Sequence, residues 1–146
     1  MLKKFLILIL STFLLFACGK KNKEEIISKP DSEEIGKMLY DEGVKALKEG
    51  DAFYAGKKFR EAETLLTKYN WISKASLMSA YSEYSRSAYS NAIFDLEKHL
   101  RNYPADPNLP YVHYLIAMCY YEQILDEKKD LDPLLKAKKK FEFIME

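Results

Sequence analysis

One stripe of mostly apolar residues occurs twice in this 146-residue chain, and both copies have the spacing of a single face of an α-helix. The first copy is Ala55, Phe59, Ala62, Leu66 and Tyr69, and the second is Tyr89, Ile93, Leu96, Leu100 and Tyr103. Gaps of four and three residues alternate in each copy, which places all five side chains on one helix face. Each member of the second copy lies 34 residues after its counterpart (89 − 55, for example). The chain is therefore predicted to be built from repeated helices.

A 34-residue period of paired helices is typical of tetratricopeptide repeats (TPRs). Gly43, Ala55 and Ala62 match the small residues of the TPR pattern where two helices touch, and Phe59 matches the aromatic residue between them. Leu39 stands where the pattern has a tryptophan. No alternating run bounded by turn residues supports a β-strand. The predicted fold class is all-α, a TPR-like α-solenoid of antiparallel helix pairs.

Turn and capping residues set the predicted boundaries of these helices. The expected ranges are about 33–48, 52–69, 72–86, 89–102 and 111–125, with connectors at 104–110 and 126–133. Asp31 and Ser32 are expected to begin the first helix. Gly50 suits the left-handed position after that helix, and Asp51 suits the cap of the second.

The same stripe begins a third time near the C-terminus, with Ala137, Phe141 and Ile144 at gaps of four and three residues. Its next positions would fall after Glu146, so we expect the repeat domain, residues 33–146, to be incomplete at its C-terminus. A short helix is marginal without packing on both sides. We therefore expect residues 133–146 to be the least protected helix of the domain.

The N-terminus has the composition of a secretory signal peptide, with two lysines before a mostly apolar run over residues 5–16. This run is too short to span a bilayer comfortably. Residues 15–18 resemble the bacterial lipobox, in which the cysteine is acylated and becomes the new N-terminus. We therefore predict a lipoprotein signal peptide at 1–17, and a lipidated Cys18 followed by a flexible tether up to residue 32. The alternative is a short membrane anchor that stays attached.

The charge balance provides no attraction to nucleic acid. The formal net charge is +1 at pH 7, and from Cys18 onward 21 basic side chains (23 − 2) face 22 acidic ones. Nucleic-acid-binding domains carry a clear basic excess.

The two cysteines, Cys18 and Cys119, lie in very different contexts and do not indicate a disulfide framework.

The residues that could carry catalysis do not form a recognisable motif. His99 and His113 lie on different predicted helices, without the spacing of a metal-binding pair, so we expect a surface or packing role for both. Cys119 is expected to be a buried, inert thiol. The basic run at 136–140 is expected to be the solvated face of a helix, with nucleic-acid binding as the alternative. We predict no enzyme activity, no cofactor and no metal.

Tyrosines on the first helix of each pair are candidates for a peptide-binding surface. TPR solenoids hold extended peptides on the inner face formed by these helices. Tyrosine offers contact area and a hydroxyl group at low entropic cost. We predict that Tyr81 belongs to the core and that Tyr84, Tyr114 and Tyr121 bind peptide, the alternative being that all of them fill gaps between helices.

Three stretches resemble one particular TPR family, the BamD (YfiO/ComL-type) outer-membrane assembly lipoproteins. They are residues 71–81, residues 89–104 and, most specific, residues 111–124 with their Tyr-Tyr-Glu-Gln-Ile sequence. The resemblance implies a non-enzymatic periplasmic scaffold of the outer-membrane β-barrel assembly machinery. Its implied partners are a BamA-type barrel assembly subunit and unfolded outer-membrane protein clients. The alternative is another TPR adaptor lipoprotein of the cell envelope, related to peptidoglycan enzymes or competence.

The lipobox and the family together imply where the protein resides. Gly19 follows the cysteine, where lipoproteins kept in the inner membrane commonly have aspartate. The implied location is the periplasmic face of the outer membrane, through a lipid anchor. The family's C-terminal repeats, which dock on BamA, lie beyond those present here, so the resemblance also implies that this chain alone binds BamA weakly or not at all.

Overall fold

The computed structural model describes residues 31–124 and 131–145, and these form six α-helices. They are α1 (Ser32–Lys48), α2 (Ala52–Leu65), α3 (Tyr69–Ser85), α4 (Tyr89–Asn102), α5 (Leu109–Glu122) and α6 (Leu131–Met145). Each helix packs on the next one in the chain, and α3 also touches α5. The predicted all-α, TPR-like fold class is confirmed for these residues. The predicted signal peptide, Cys18, most of the tether and residues 125–130 lie outside the described residues.

The structural repeat of the first two helix pairs is 37 residues, so the predicted period of 34 is wrong. α3 begins and ends 37 residues after α1 (69 − 32 and 85 − 48), and α4 begins and ends 37 residues after α2 (89 − 52 and 102 − 65). A stripe with gaps of four and three nearly coincides with itself after a shift of three residues, because a helical turn is about 3.6 residues. The match at 34 residues is this shifted copy.

The turns after α1 and α3 repeat with the same period. After α1, Gly50 has a φ of 86° and its N–H donates to the Leu47 carbonyl group at 3.1 Å. After α3, Ser87 has a φ of 62° and donates to the Tyr84 carbonyl group at 2.9 Å. The Asp51 carboxylate accepts a bond of 2.9 Å from the backbone N–H three residues later and so caps α2. The predicted roles of Gly50 and Asp51 are confirmed, whereas Ser87 adopts a conformation that a non-glycine residue rarely takes.

The second helix of each pair supplies the core through three residues at gaps of four and three. They are Ala55, Phe59 and Ala62 in α2, Ala92, Leu96 and His99 in α4, and Ala137, Phe141 and Ile144 in α6. All are buried except the last two, which are half-buried. In α4 these positions lie three residues after the first three of the predicted stripe, as the 37-residue period requires. The other residues of the predicted stripe in the second copy are half-buried: Tyr89, Ile93, Leu100 and Tyr103. Tyr69 in the first copy is exposed.

The predicted boundary between the second and third helices is wrong. α2 ends at Leu65 and α3 already begins at Tyr69, whereas the sequence predicted helix up to 69 and a new start at 72. The cause is a contact from α1: the Glu33 carboxylate accepts bonds of 2.7 Å from both the backbone N–H and the hydroxyl of Thr67. These bonds provide an acceptor for the backbone N–H of Thr67, which lies between the two helices. The sequence around Thr67 does not reveal them, because Glu33 is distant in the chain.

The last two helices begin earlier than predicted. The sequence analysis placed their start after a proline, but each helix includes that proline in its first turn. Pro110 lies in the first turn of α5 and Pro133 in that of α6, and both were assigned to connectors. The first N–H groups of a helix have no acceptor within it, so proline is tolerated there. α5 also ends at Glu122, before the predicted residue 125, and Asp31 makes no side-chain capping bond to α1.

Gly43 lies at the contact between α1 and α2, as predicted. A Cβ atom at this position would lie only 2.8 Å from a ring carbon of Phe59. We expect Gly43→Ala to lower the free energy of unfolding by about 1–3 kcal/mol through overpacking, although alanine is the better helix former by about 1 kcal/mol. Urea denaturation followed by circular dichroism measures the change. Phe59→Leu introduced beside Gly43→Ala should recover part of the loss, and additive effects of the two substitutions would contradict the close contact.

Candidate peptide-binding surface

Tyrosines from α3, the start of α4 and α5 line one surface of the domain. The Tyr84 ring lies 6.2 Å from that of Tyr81 and 5.9 Å from that of Tyr89, measured between centroids. On α5, Tyr111 and Tyr114 stack at 6.1 Å with an angle of 23° between their planes. Because they sit on helices that pack on a common core, the rings are held in place by rigid elements.

The two groups of rings adjoin, because residues of each group contribute to the pKa shifts of the other. Burial raises the pKa of Tyr84, and the nearby Glu122 carboxylate and the Tyr114 hydroxyl add to the increase. Burial likewise raises the pKa of Tyr111, with smaller contributions from Tyr81 and Tyr114. Both Tyr84 and Tyr111 are therefore protonated near neutral pH and can donate hydrogen bonds to a carbonyl group.

Two of the three predicted peptide-binding residues come together on this surface. Tyr84 is half-buried against the core cluster, and Tyr114 is 42% exposed on the adjoining helix. Tyr121 is 56% exposed but makes no ring contact within the described residues, and it lines a groove with α6 instead. Tyr111 also belongs to the surface, although it was not among the predicted candidates. Its spacing of three residues from Tyr114 is the signal that could have identified it.

The structure also shows the surroundings of the residues that could carry catalysis, bind a metal or bind nucleic acid. Burial raises the pKa of Cys119 to about 12, so its thiol is inert at neutral pH, as predicted. Within residues 31–124 and 131–145, no three His, Cys, Asp or Glu side chains converge on a metal-binding position. The helices of the same ranges do not combine the length and apolar character that a membrane span requires. Lys136, Lys138 and Lys139 of the basic run are exposed on α6, as predicted, whereas Lys140 is half-buried.

A carboxylate buried between α2 and α3 was missed by the sequence analysis. Glu83 pairs with Arg60 of α2 at 3.2 Å and with Arg86 at 2.6 Å. Burial alone would raise the pKa of Glu83, but the two arginines hold it below its usual range. The spacing of three residues between Glu83 and Arg86 is readable from the sequence, whereas the partner on α2 is not.

His99 was expected to have a surface or packing role, and the structure places it fully inside the domain. Its Nε2 atom lies 3.4 Å from Oδ2 of the buried Asp106. The other Asp106 oxygen accepts bonds of 2.7 and 2.8 Å from the backbone and side-chain N–H groups of Asn108. Burial lowers the pKa of His99 by more than the nearby Asp106 and Glu63 raise it. The ring is therefore neutral near pH 7.

The stability of the domain should fall as the pH drops below about 6.5, the ordinary pKa of histidine. A histidine whose pKa is lowered by folding stabilises the fold above its unfolded pKa, and this contribution is lost as the pH falls through 6.5 toward the folded value. Burial and Lys140 lower the pKa of His113 in the same way. Urea denaturation measures the free energy of unfolding at pH 7.5 and at pH 5.5. The difference between the two values should be smaller in His99→Gln than in the parent protein. It should be smallest in the double variant His99→Gln/His113→Gln. An unchanged difference in His99→Gln would contradict the buried, neutral ring.

Comparison with known proteins shows which family and which relatives this chain is similar to. The outer membrane lipoprotein family YfiO matches residues 32–146. The chain is 33% identical over 112 residues to the outer membrane protein assembly factor BamD of Caulobacter vibrioides, covering 77% of this chain and 36% of the relative. It is 29% identical over 121 residues to BamD of Rickettsia prowazekii, covering 81% of this chain and 48% of the relative. For BamD of Xylella fastidiosa strain Temecula1, the identity is 25% over 111 residues, covering 75% and 36%.

The chain thus spans between about a third and a half of the length of these curated relatives. The predicted family resemblance is confirmed, because the match extends over every described helix from α1 to α6. With the family matched over residues 32–146, the chain belongs to the YfiO family of outer membrane lipoproteins.

Proposed function

We propose that this protein is a non-enzymatic, lipid-anchored scaffold that takes part in the assembly of outer-membrane proteins. The observation that carries the proposal is the family match over residues 32–146, together with relatives named as outer membrane protein assembly factors. The lipid anchor is Cys18, and the domain faces the periplasm from the outer membrane. The tyrosine surface supports a role in binding, because exposed aromatic rings on rigid helices are typical of recognition surfaces.

The proposed partners are a BamA-type barrel assembly subunit and unfolded outer-membrane protein clients. Co-purification of the tagged full chain from membranes tests the first partner. Because the resemblance implies weak binding at most, enrichment of the BamA-type subunit is expected only after crosslinking, and enrichment of a peptidoglycan enzyme in its place would favour the adaptor alternative. Brief chemical crosslinking before solubilisation retains an interaction too weak to survive detergent.

Client binding is proposed to use Tyr84, Tyr111 and Tyr114. An extended client segment exposes its backbone carbonyl groups, which the tyrosine hydroxyls can reach as hydrogen-bond donors. The ring faces provide apolar contact for client side chains, and aromatic residues of this kind account for much of the affinity at protein interfaces. Tyr121 lies two turns beyond Tyr114 on the same face of α5, so it contacts a longer client only where the segment continues toward α6.

Removing one ring from this surface should weaken client binding. We expect Tyr114→Ala to lower the affinity of the full chain for a labelled, unfolded outer-membrane protein by about tenfold, the effect of losing one well-packed aromatic contact. Fluorescence anisotropy measures the affinity. Tyr114→Phe separates the hydroxyl group from the ring. The control is Tyr54→Ala, which removes an exposed tyrosine of α2 that binds Glu42. A similar loss in both alanine variants would contradict the proposed surface.

A further inference from the structure

The side of α6 that points away from the buried Ala137 carries large apolar residues. Leu131, Leu135 and Phe143 are 58%, 60% and 60% exposed, and with Lys139 they follow one another at intervals of four residues. Residues four apart lie on the same side of a helix, so these four form the outward face of α6. Large apolar side chains aligned in this way indicate an interaction surface rather than scattered solvent exposure.

The same face of the earlier helices stays exposed even where further helix pairs follow. Aligned by the buried alanines of α2, α4 and α6, Leu135 corresponds to Phe53 of α2 and Lys139 to Phe94 of α4. Phe53 is 67% exposed and Phe94 is 65% exposed, although α3 follows the first and α5 follows the second. A following helix pair therefore leaves this face uncovered.

A pocket of about 270 Å³ borders the outward face where α5 meets α6. It is lined by His113 and Tyr120 of α5 and by Lys136, Lys139, Lys140 and Phe143 of α6. The rings of His113 and Phe143 lie 4.6 Å apart between centroids, and Nζ of Lys136 lies 5.6 Å from the centroid of Tyr120. The pocket therefore combines aromatic walls with three lysines.

This pocket is separate from the α5/α6 groove that Tyr121 lines with Leu134 and Phe141, because the two share no residue. Its α5 side points back toward α4, since the Glu97 carboxylate of α4 contributes to the raised pKa of Tyr120. The pocket thus lies between helices of the described array.

The lysines of the pocket are available for an anion. Lys136 pairs with Asp132 at 2.7 Å, whereas Lys139 and Lys140 make no ion pair with any residue in 31–124 or 131–145. The described part of α6 has four lysines and two acidic residues, the second being Glu142. The ammonium groups of lysine bind phosphate groups well as point charges.

We propose that the outward face of α6 rests on the surface of an anionic phospholipid membrane. Leu131, Leu135 and Phe143 enter the boundary between head groups and acyl chains, and the lysines of the pocket bind a lipid phosphate. A basic helix with exposed apolar residues is typical of helices that lie in this boundary. Each basic residue close to an anionic membrane surface adds to the binding.

The chain itself favours a membrane over other anionic partners. Thirteen residues separate Cys18 from Asp31 (31 − 18), and an extended segment of this length spans about 45 Å. A lipid on Cys18 would therefore keep the domain within reach of the membrane, and at this point the inference rests on the proposed function. The nearly balanced charge of the whole chain offers no such argument for nucleic acid.

Fluorescence at one position of the outward face tests the contact. The full chain with Cys18→Ser carries an environment-sensitive fluorophore on Leu135→Cys, and the buried Cys119 thiol stays unlabelled. It is reconstituted into phosphatidylcholine vesicles with or without phosphatidylglycerol, and vesicle-bound protein is recovered by flotation. In anionic vesicles we expect blue-shifted emission and quenching by spin-labelled lipid that is about threefold stronger or more. High salt should weaken both signals.

Charge variants separate the proposed site from a general attraction. Lys139→Glu should lower the docked fraction in anionic vesicles at least about tenfold, to the level in neutral ones. Lys139→Arg keeps the charge and should retain the quenching. The matched control is Lys57→Glu, which changes the net charge equally at the corresponding exposed position of α2 and should alter the quenching less than about twofold.

Several results would overturn the proposal. They are failure to float with anionic vesicles, absence of quenching there, equal quenching in neutral vesicles and equal losses in the two glutamate variants. Quenching that disappears as the protein-to-lipid ratio falls would show a contact between copies of the chain instead. Acylation is excluded from every sample by Cys18→Ser, so failure of the proposed lipid anchor would appear in mass spectrometry of the parent protein and not in this experiment.

Discussion

Replacing Leu96 by aspartate should abolish the cooperative fold of the domain. Leu96 is fully buried in the core cluster shared by α3, α4 and α5. A carboxylate at this position must either be protonated or drive the helices apart, at a cost of several kcal/mol. Small domains are stable by about 5–15 kcal/mol in total. Far-ultraviolet circular dichroism should therefore show loss of most helical signal or a melting temperature lowered by tens of degrees, about 4–8 °C for each kcal/mol lost.

The matched control lies on the same helix. Phe94 is 65% exposed, so Phe94→Asp should change the free energy of unfolding by about 0.5 kcal/mol or less. A second comparison distinguishes the two possible repeat periods. With the 37-residue register, Ala92 is the contact residue and Ile93 is only half-buried, so Ala92→Asp should be the more damaging substitution. The reverse order would support the 34-residue register.

Replacing Cys18 by serine should leave an unprocessed precursor without acyl chains. The lipobox-like residues 15–18 motivate this prediction, and the thiol is the group that would receive the lipid. Each buried acyl CH₂ group contributes about 0.8 kcal/mol to membrane binding, so losing the chains removes most of the anchoring free energy. Mass spectrometry of the N-terminus and fractionation of membranes measure the two effects.

The second cysteine of the chain is the control for this experiment. Cys119 is fully buried, and Cys119→Ala should leave acylation unchanged while lowering the stability slightly. A mature N-terminus at Cys18 that carries no acyl chains in the parent protein would disprove the lipid anchor. Such a result would leave the helical domain and its family membership untouched.

Local patterns were sufficient to predict most helices. The fourth helix was predicted as 89–102 and is Tyr89–Asn102, and the first differs by one residue at its start. Gly50 and Asp51 act where predicted because the turn and the cap depend on residues within four positions of each other. The family resemblance was most specific in the 111–124 segment, where residue identity rather than spacing carried the information.

The repeat register could not be determined from spacing alone. A helical stripe is nearly unchanged by a shift of one turn, so periods of 34 and 37 residues explain the same residues almost equally well. The structure decides between them through Gly50 and Ser87, which follow the first helices of successive pairs, α1 and α3, in the same left-handed conformation 37 residues apart (87 − 50). Serine at the second position hides the signal that a glycine would have given.

The sequence by itself determined the helices, their amphipathic faces and the candidate tyrosines, because each depends on neighbours within one or two turns. Only the tertiary structure decided which of those tyrosines share a surface. It joined Tyr84 with Tyr114 across two helices and left Tyr121 in the α5/α6 groove. It also placed Glu33 against Thr67 and His99 beside Asp106. Glu33 and Thr67 are 34 residues apart in the chain, and the contact of His99 with Asp106 requires the turn after α4, so the tertiary structure brings these polar groups together. His99 and Asp106 are also buried, which strengthens their interaction.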